Sequence, residues 1–198
     1  MKITLIDYNA GNVRSVLFAL KRLGKKAELT SDLKKIGMSD KVIFPGVGEA
    51  RSTMRFLRAK GLDKLIPQLK QPLLGICLGL QLLCADSEEN NTECLGIFRQ
   101  KVKKFEVQQE GEKLKVPHIG WNDIFGLEGS LFKEVPEKSQ VYFVHSYYAD
   151  LGEETCAKCH YGIDFSAALQ KNNFYALQFH PEKSADVGEL ILKNFLEI

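Results

Sequence analysis

The segment Leu73-Leu74-Gly75-Ile76-Cys77-Leu78-Gly79 constrains this chain more than any other. It opens as a short apolar run after Pro72, long enough for one buried strand, and past Cys77 the apolar pattern continues as a helix. Glycines two positions to either side of Cys77 give the segment the shape of a Gly-x-Ser-x-Gly nucleophile elbow with Cys in place of Ser. In such an elbow a strand turns sharply into a helix, and small neighbours relieve the crowding around a strained apex residue. A lone buried cysteine in a glycine-rich strand would not call for that symmetry. A strand of this kind needs partners on both edges and helices on both faces.

The rest of the chain supplies them. Residues 2–7 read as a buried strand, residues 9–12 as a turn, and Asn12 as the N-cap of a helix with Val13, Val16, Leu17, Leu20 and Leu23 on one face, stopped by Gly24. A strand follows at 27–30, and Val42-Ile43-Phe44 runs into Pro45-Gly46-Val47-Gly48, which reads as a loop. A helical stretch with Met54, Leu57 and Leu62 then leads to Pro72. Strands alternating with helices imply an α/β fold with a mostly parallel central sheet flanked by helices. From residue 96 to about 176 short β segments broken by Gly, Asn and Pro suggest antiparallel β additions in the second half. Residues 175–179 form a last apolar strand, and a helix capped near Ser184 carries Val187, Leu190, Ile191 and Phe195 on one face.

Composition narrows the class. At 198 residues and 44% hydrophobic, residues 1–198 are expected to form a single domain with its own core. No charged leader with an apolar core opens the chain and no apolar run would cross a bilayer, so a soluble cytoplasmic protein is expected. Five cysteines at irregular spacing suit free thiols in a reducing compartment better than a disulfide framework. A net charge of +2 with mixed signs argues against a nucleic-acid partner.

Cys77 as nucleophile needs a base and an acid to orient it. His180 ends an apolar strand with Glu182 two residues on; in extended chain both point the same way, and Pro181 biases His180 towards that geometry. An accidental His and Glu in a solvated turn is the plainer alternative. His118 and His145 lack a carboxylate so placed and are expected to be structural or pocket-lining. Attack on a carbonyl builds charge on its oxygen, and backbone N–H groups are its usual stabilisers. Leu78, next to the nucleophile, offers one; Val47 and Gly48, in the two-glycine loop, offer the second, unless that loop is only a tight turn. Gln81, one helical turn past Cys77, can line the pocket.

Together these motifs resemble the class I (triad) glutamine amidotransferases over nearly the whole chain. Residues 75–81 resemble that family's nucleophile segment, Pro45-Gly46-Val47-Gly48 its oxyanion loop and Phe179-His180-Pro181-Glu182 its His/Glu pair. Residues 7–15, Pro117-His118-Ile119-Gly120-Trp121-Asn122 and Lys183-Ser184 are similar to the branch formed by the glutaminase subunits of imidazole glycerol phosphate synthases. The resemblance implies hydrolysis of L-glutamine by a Cys77, His180, Glu182 triad, with glutamine held by Gly46, Gly48, Gln81, Glu89, Ser146 and Tyr147. It implies no metal and no cofactor. It also implies a heterodimer with a (β/α)8-barrel cyclase subunit, with Asn12, Trp121 and Lys183 as interface candidates. Without it, the acidic run containing Glu89 reads as a solvated loop. After Gly48 the chain has Glu49-Ala50-Arg51 where the family suggests a small residue and an aromatic, which bears on how that loop packs.

Cys156-Ala157-Lys158-Cys159-His160 has the spelling of c-type haem attachment, or of a redox or zinc pair. Haem attachment needs export and a zinc site a second ligand cluster; neither is evident, so two free thiols in a β segment are expected. Two further alternatives are a non-catalytic scaffold and a glutaminase feeding a different synthase.

Overall fold

The computed structural model describes residues 1–8, 12–109 and 112–198; the turn expected at residues 9–11 lies outside them. The chain runs β1 (Ile3–Ile6), α1 (Val13–Arg22), β2 (Ala27–Thr30), α2 (Leu33–Gly37), β3 (Lys41–Phe44), α3 (Ala50–Lys60), α4 (Leu62–Leu65), β4 (Leu73–Ile76) and α5 (Leu78–Leu83). The second half adds β5 (Asp86–Ser87), β6 (Thr92–Glu93), β7 (Lys101–Lys104), β8 (Gln108–Gln109), β9 (Glu112–Lys113), β10 (His118–Phe125), β11 (Ser139–His145), β12 (Tyr147–Ala149), β13 (Thr155–His160), β14 (Asp164–Lys171), β15 (Phe174–Leu177) and α6 (Ala185–Glu197).

Among the described residues, 13 strands form one sheet, whose main path runs β2-β1-β3-β4-β15-β14-β12-β7-β5-β6. The first five of these are parallel. Antiparallel pairing begins where β14 meets β15 and continues through β12 and β7. β5 breaks that pattern by running parallel to β7. A branch joins β10 to β11 and β13, and β13 to β14. The α/β class and the antiparallel additions are therefore as the sequence pattern indicates. What the pattern does not convey is that β15, late in the chain, returns to the parallel part and lies beside β4.

Side chains alternate across each strand, so the parallel strands inside the sheet edge, β1, β3, β4 and β15, each feed two cores. Ile3, Leu5, Ile43, Leu74 and Ile76 pack on one face under α1 and α6. Ile6, Val42, Phe44 and Leu73 pack on the other under α3 and α5. The single helix expected between residue 54 and Pro72 is in fact broken at Gly61, whose φ of +71° ends α3 and starts α4. Asn12 and Ser184 stand at the N-caps of α1 and α6, yet neither side chain makes the capping bond. Both are used elsewhere. The Ser184 hydroxyl donates to the His180 carbonyl at 2.7 Å and accepts from the Tyr142 N–H at 2.9 Å.

At the elbow, Cys77 has φ +52°, a conformation that costs a non-glycine residue about 1–3 kcal/mol and persists only where packing enforces it. The enforcement comes from α5 lying against the end of β3: a Cβ on Gly79 would overlap the Phe44 carbonyl, and one on Gly75 would sit 2.9 Å from the Gly79 backbone. Gly79→Ala is expected to lower unfolding free energy by about 1–3 kcal/mol through this backbone overlap; urea midpoints equal to those of the natural protein would show that α5 can move away.

Candidate active site

Because β3, β4 and β15 are adjacent and parallel, their carboxyl ends open on one edge of the sheet, where open α/β sheets carry their sites. Gly46 to Gly48 follow β3, Cys77 follows β4, and His180 and Glu182 follow β15. A cleft of about 300 Å³ lies there, lined by the expected site residues Val47, Gly48, Cys77, Leu78, Gln81, Glu89, Ser146 and Tyr147, by His145, expected to be structural or pocket-lining, and by Pro117 and Val144. Gly46, His180 and Glu182 stand behind this lining.

His180 is fully buried and extended, with its backbone N–H on the Tyr142 carbonyl at 2.9 Å. Glu182 is not in extended chain: residues Pro181–Lys183 form a 3₁₀ turn, and it is this turn that carries the carboxylate round to His180. Its Oε1 lies 2.7 Å from His180 Nδ1 and also accepts from the Asn12 amide. A carboxylate can only accept, so Nδ1 carries a proton and Nε2 is the end that faces chemistry. Nε2 is buried and has no hydrogen-bond partner among the described residues. Burial opposes charge on this imidazole, but its interactions with the Cys77 sulfur and the Glu182 carboxylate outweigh it and raise the pKa from 6.5 to about 10. The sulfur is thus the imidazole's close electrostatic neighbour.

The other two histidines near the cleft have the opposite character. His118 and His145 face each other across β10 and β11, with Nδ1 of the first 3.0 Å from Nε2 of the second. His145 Nδ1 donates to the Tyr147 carbonyl at 2.7 Å, so its Nε2 accepts the proton of His118. Burial lowers their pKa values to about 4 and about 3, and both stay neutral.

The Leu78 N–H is occupied: it donates to the Gly46 carbonyl at 3.4 Å. In a trans peptide the C=O and the next N–H point in opposite directions, so with Gly46 oxygen turned to Leu78 the Val47 N–H faces away. In this conformation neither the Leu78 nor the Val47 N–H is presented to the cleft, whereas Gly48, the third expected donor, is part of its lining. Gly48, at φ +146°, supplies backbone freedom beside that peptide. The loop's start is held by the Tyr8 hydroxyl, which donates to the Pro45 carbonyl, a contact the sequence does not signal. Its end is held by the departure at Glu49 to Arg51. Glu49 caps α3 through the Arg51 and Ser52 N–H groups and accepts from Asn90 at 2.7 Å, while Arg51 donates to the Asn90 carbonyl. Glu89 is no solvated loop residue: its Oε2 accepts from the Ala50 N–H at 2.7 Å and the group lines the cleft, where burial raises its pKa.

Asn12 is half-buried, and its amide reaches into the His180 and Glu182 pair. Trp121 is exposed, edge-on to Tyr142 with ring centroids 6.1 Å apart, and Lys183 Nζ lies 5.6 Å over the same Tyr142 ring. Cys156 and Cys159 are buried in β13, where burial pushes the first thiol up to about 12 and raises the second. Among the described residues no group of three or more His, Cys, Asp or Glu is arranged to hold a metal.

A family model described as glutamine amidotransferase class-I matches residues 4–198. The chain belongs to that family. Imidazole glycerol phosphate synthase subunit HisH of Bacteroides fragilis (strain YCH46) is 57% identical over 198 residues, covering 100% of both chains. The subunit of the same name from Buchnera aphidicola is 44% identical over 200 residues, again covering 100% of both. A solved glutamine amidotransferase superposes with a TM-score of 0.75 at 21% identity, covering 98% of this chain and 97% of its own. One from Thermotoga maritima gives 0.64 at 18%, covering 100% and 81%. At those identities the two structures speak for the amidotransferase fold alone.

The histidines predict a pH response. Unfolded, His118 and His145 titrate near 6.5; folded, near 4 and 3. As pH falls below about 6.5 the unfolded chain takes up protons that the native one refuses, so stability drops, by up to about 1.4 kcal/mol per pH unit for each histidine. His180 acts in the opposite sense: its contribution is complete below about 6.5 and is lost as pH rises through about 10. Urea unfolding at pH 7, 6 and 5 is expected to show the acid-side fall, whereas a flat profile would mean that the pair accepts protons in the native state.

Proposed function

We infer that this chain is the glutaminase subunit of an imidazole glycerol phosphate synthase: it hydrolyses L-glutamine to L-glutamate and delivers the ammonia to a cyclase partner. The observation that carries the reading is the meeting of Cys77, His180 and Glu182 at the ends of adjacent parallel strands, in a chain whose full-length relatives named for that synthase are 44–57% identical.

Cys77 Sγ attacks the side-chain carbonyl carbon of glutamine, forming a C–S bond and an oxyanion. The C–N bond then breaks and ammonia leaves with the proton of His180 Nε2, whose raised pKa keeps it charged until that moment. Water attacks the glutamyl thioester, gives a proton back to Nε2, and the thiolate leaves as glutamate forms. Glu182 holds the imidazole in this tautomer throughout. Glu89, partly buried in the cleft wall, pairs with the substrate ammonium; Gln81, Gly48, Ser146 and Tyr147 shape the pocket.

The oxyanion requires the Gly46–Val47 peptide to rotate, which withdraws the carbonyl from Leu78 and swings the Val47 N–H inward. One donor of this kind is worth about 2.7–4 kcal/mol, a factor of 10² to 10³ in rate. The proposed cyclase, a (β/α)8 barrel, docks where Trp121, Tyr142 and Lys183 are clustered, next to the strand end that carries His180, and Asn12 links that region to Glu182. Cytoplasmic residence fits the five free thiols.

Glutamine hydrolysis by the chain alone is expected to be slow and to rise at least about a hundredfold with the cyclase and its ribonucleotide substrate. Equal rates in both conditions would sink the coupled reading and favour a glutaminase with another acceptor. Cys77→Ala is expected to remove turnover, by about a thousandfold or more, while retaining binding to the cyclase in a pull-down; residual hydrolysis near the natural rate would remove the nucleophile assignment.

A further inference from the structure

Gln178 lies between the last strand and the His180 motif, and the chemistry described above gives it no role. It is fully buried. Its backbone N–H is fixed on the Ala167 carbonyl at 2.8 Å, and the register that pairs Leu177 with Ile76 sets it beside Cys77. Its side-chain Nε2 lies 3.8 Å from Cys77 Sγ, and its Oε1 lies 3.2 Å from Gln81 Nε2.

Which end of the amide faces the sulfur follows from the far end of a hydrogen-bond chain. The Tyr147 carbonyl can only accept, so the group of Gln81 that meets it at 2.9 Å must be nitrogen. The same nitrogen meets Gln178, whose facing atom must then be oxygen. The Gln178 nitrogen is what remains for the sulfur. The Tyr147 carbonyl is held in turn by His145, itself locked as a donor there by His118. The whole sequence is fixed by neutral groups.

The sulfur also lies 3.8 Å from the Val144 carbonyl. It is therefore 3.8 Å from an acceptor and 3.8 Å from a donor. A thiol can donate to the Val144 oxygen and is a poor acceptor; a thiolate has nothing to give that oxygen and is a strong acceptor for the Gln178 N–H. We propose that Gln178 is the hydrogen-bond donor that stabilises and positions the Cys77 sulfur as an anion, before attack and again when the thiolate leaves the glutamyl thioester. No new bond is made or broken by Gln178 itself; its N–H strengthens a contact as charge appears on sulfur and weakens it while sulfur is acylated. Gln81 acts one step further out, as the residue that orients the Gln178 amide. This inference rests on the glutaminase reading for its consequence, and its test separates the two.

The test is alkylation of Cys77 by iodoacetamide, followed by mass spectrometry across pH, in the natural protein, Gln178→Met, which keeps length and apolar shape without the donor, and Gln178→Glu, which puts an oxygen at the sulfur. Gln178→Met is expected to react about tenfold more slowly at pH 7 and to approach the natural rate at high pH, where hydroxide ionises Cys77 in both proteins. Gln178→Glu should be displaced further in the same direction. Profiles that superimpose on the natural one, or that are slower by the same factor at every pH, overturn the donor role. If neither variant folds, as judged by circular dichroism, the natural protein decides: the Gln178 side-chain amide protons should shift by NMR on alkylation of Cys77, and no shift overturns the proposal. Should the natural, unalkylated protein fail to hydrolyse glutamine with the cyclase present, the glutaminase reading falls instead, while the alkylation profiles still judge the donor role.

Discussion

The parallel pairing of β4 with β15 is the contact on which the site depends. It joins two stretches 101 residues apart at Cys77 and Gln178, and it does so with ladder bonds whose register leaves no freedom of one residue. A slip would turn Leu177 and Ile76 out of their shared core and carry the imidazole away from the sulfur. The same hydrophobic alternation that builds the core thus sets the distance between reacting groups. The strained Cys77 backbone is tolerated because both neighbours of β4, and α5 behind it, are packed against it without space to relax.

Three buried histidines show how far environment, rather than residue type, decides charge. His118 and His145 meet each other, the Asn122 amide, a carbonyl and aromatic rings, none of them negatively charged, and the loss of solvation prevails. His180 is buried too, but it faces the Cys77 sulfur and the Glu182 carboxylate, which favour its charged form. The first two are therefore held neutral, and the third is held charged. The cost of the second arrangement is visible in α1, whose N-cap residue Asn12 gives its amide to Glu182 and leaves the helix end without a bond worth about 1 kcal/mol.

Much of this was legible in the sequence because local rules carried it. The elbow, the alternation of strands and helices, and the two-glycine loop each rest on sterics within a few residues. The His180 and Glu182 pairing was also legible, though for a mistaken reason: a 3₁₀ turn, not the period of an extended strand, brings the carboxylate back. Glu89 was visible only through family resemblance, since its burial comes from α3 and the opposite wall of the cleft. Gln178 and Tyr8 could not be found at all. Their positions depend on strand order, and nothing in the neighbouring residues reveals that β15 crosses half the chain to lie against β4.

The orientation of the Gly46–Val47 peptide has a consequence for waste. Its carbonyl and its N–H are rigidly coupled like the two ends of a seesaw, so the hole can be filled or formed but not half made. Idle leakage of ammonia then measures how often the plank tips unaided, and a preference of about 2.7 kcal/mol for the closed side would confine tipping to roughly one molecule in a hundred at any instant. A single torsional equilibrium, with no moving lid or domain, would suffice to keep nitrogen from being spent before a recipient is in place.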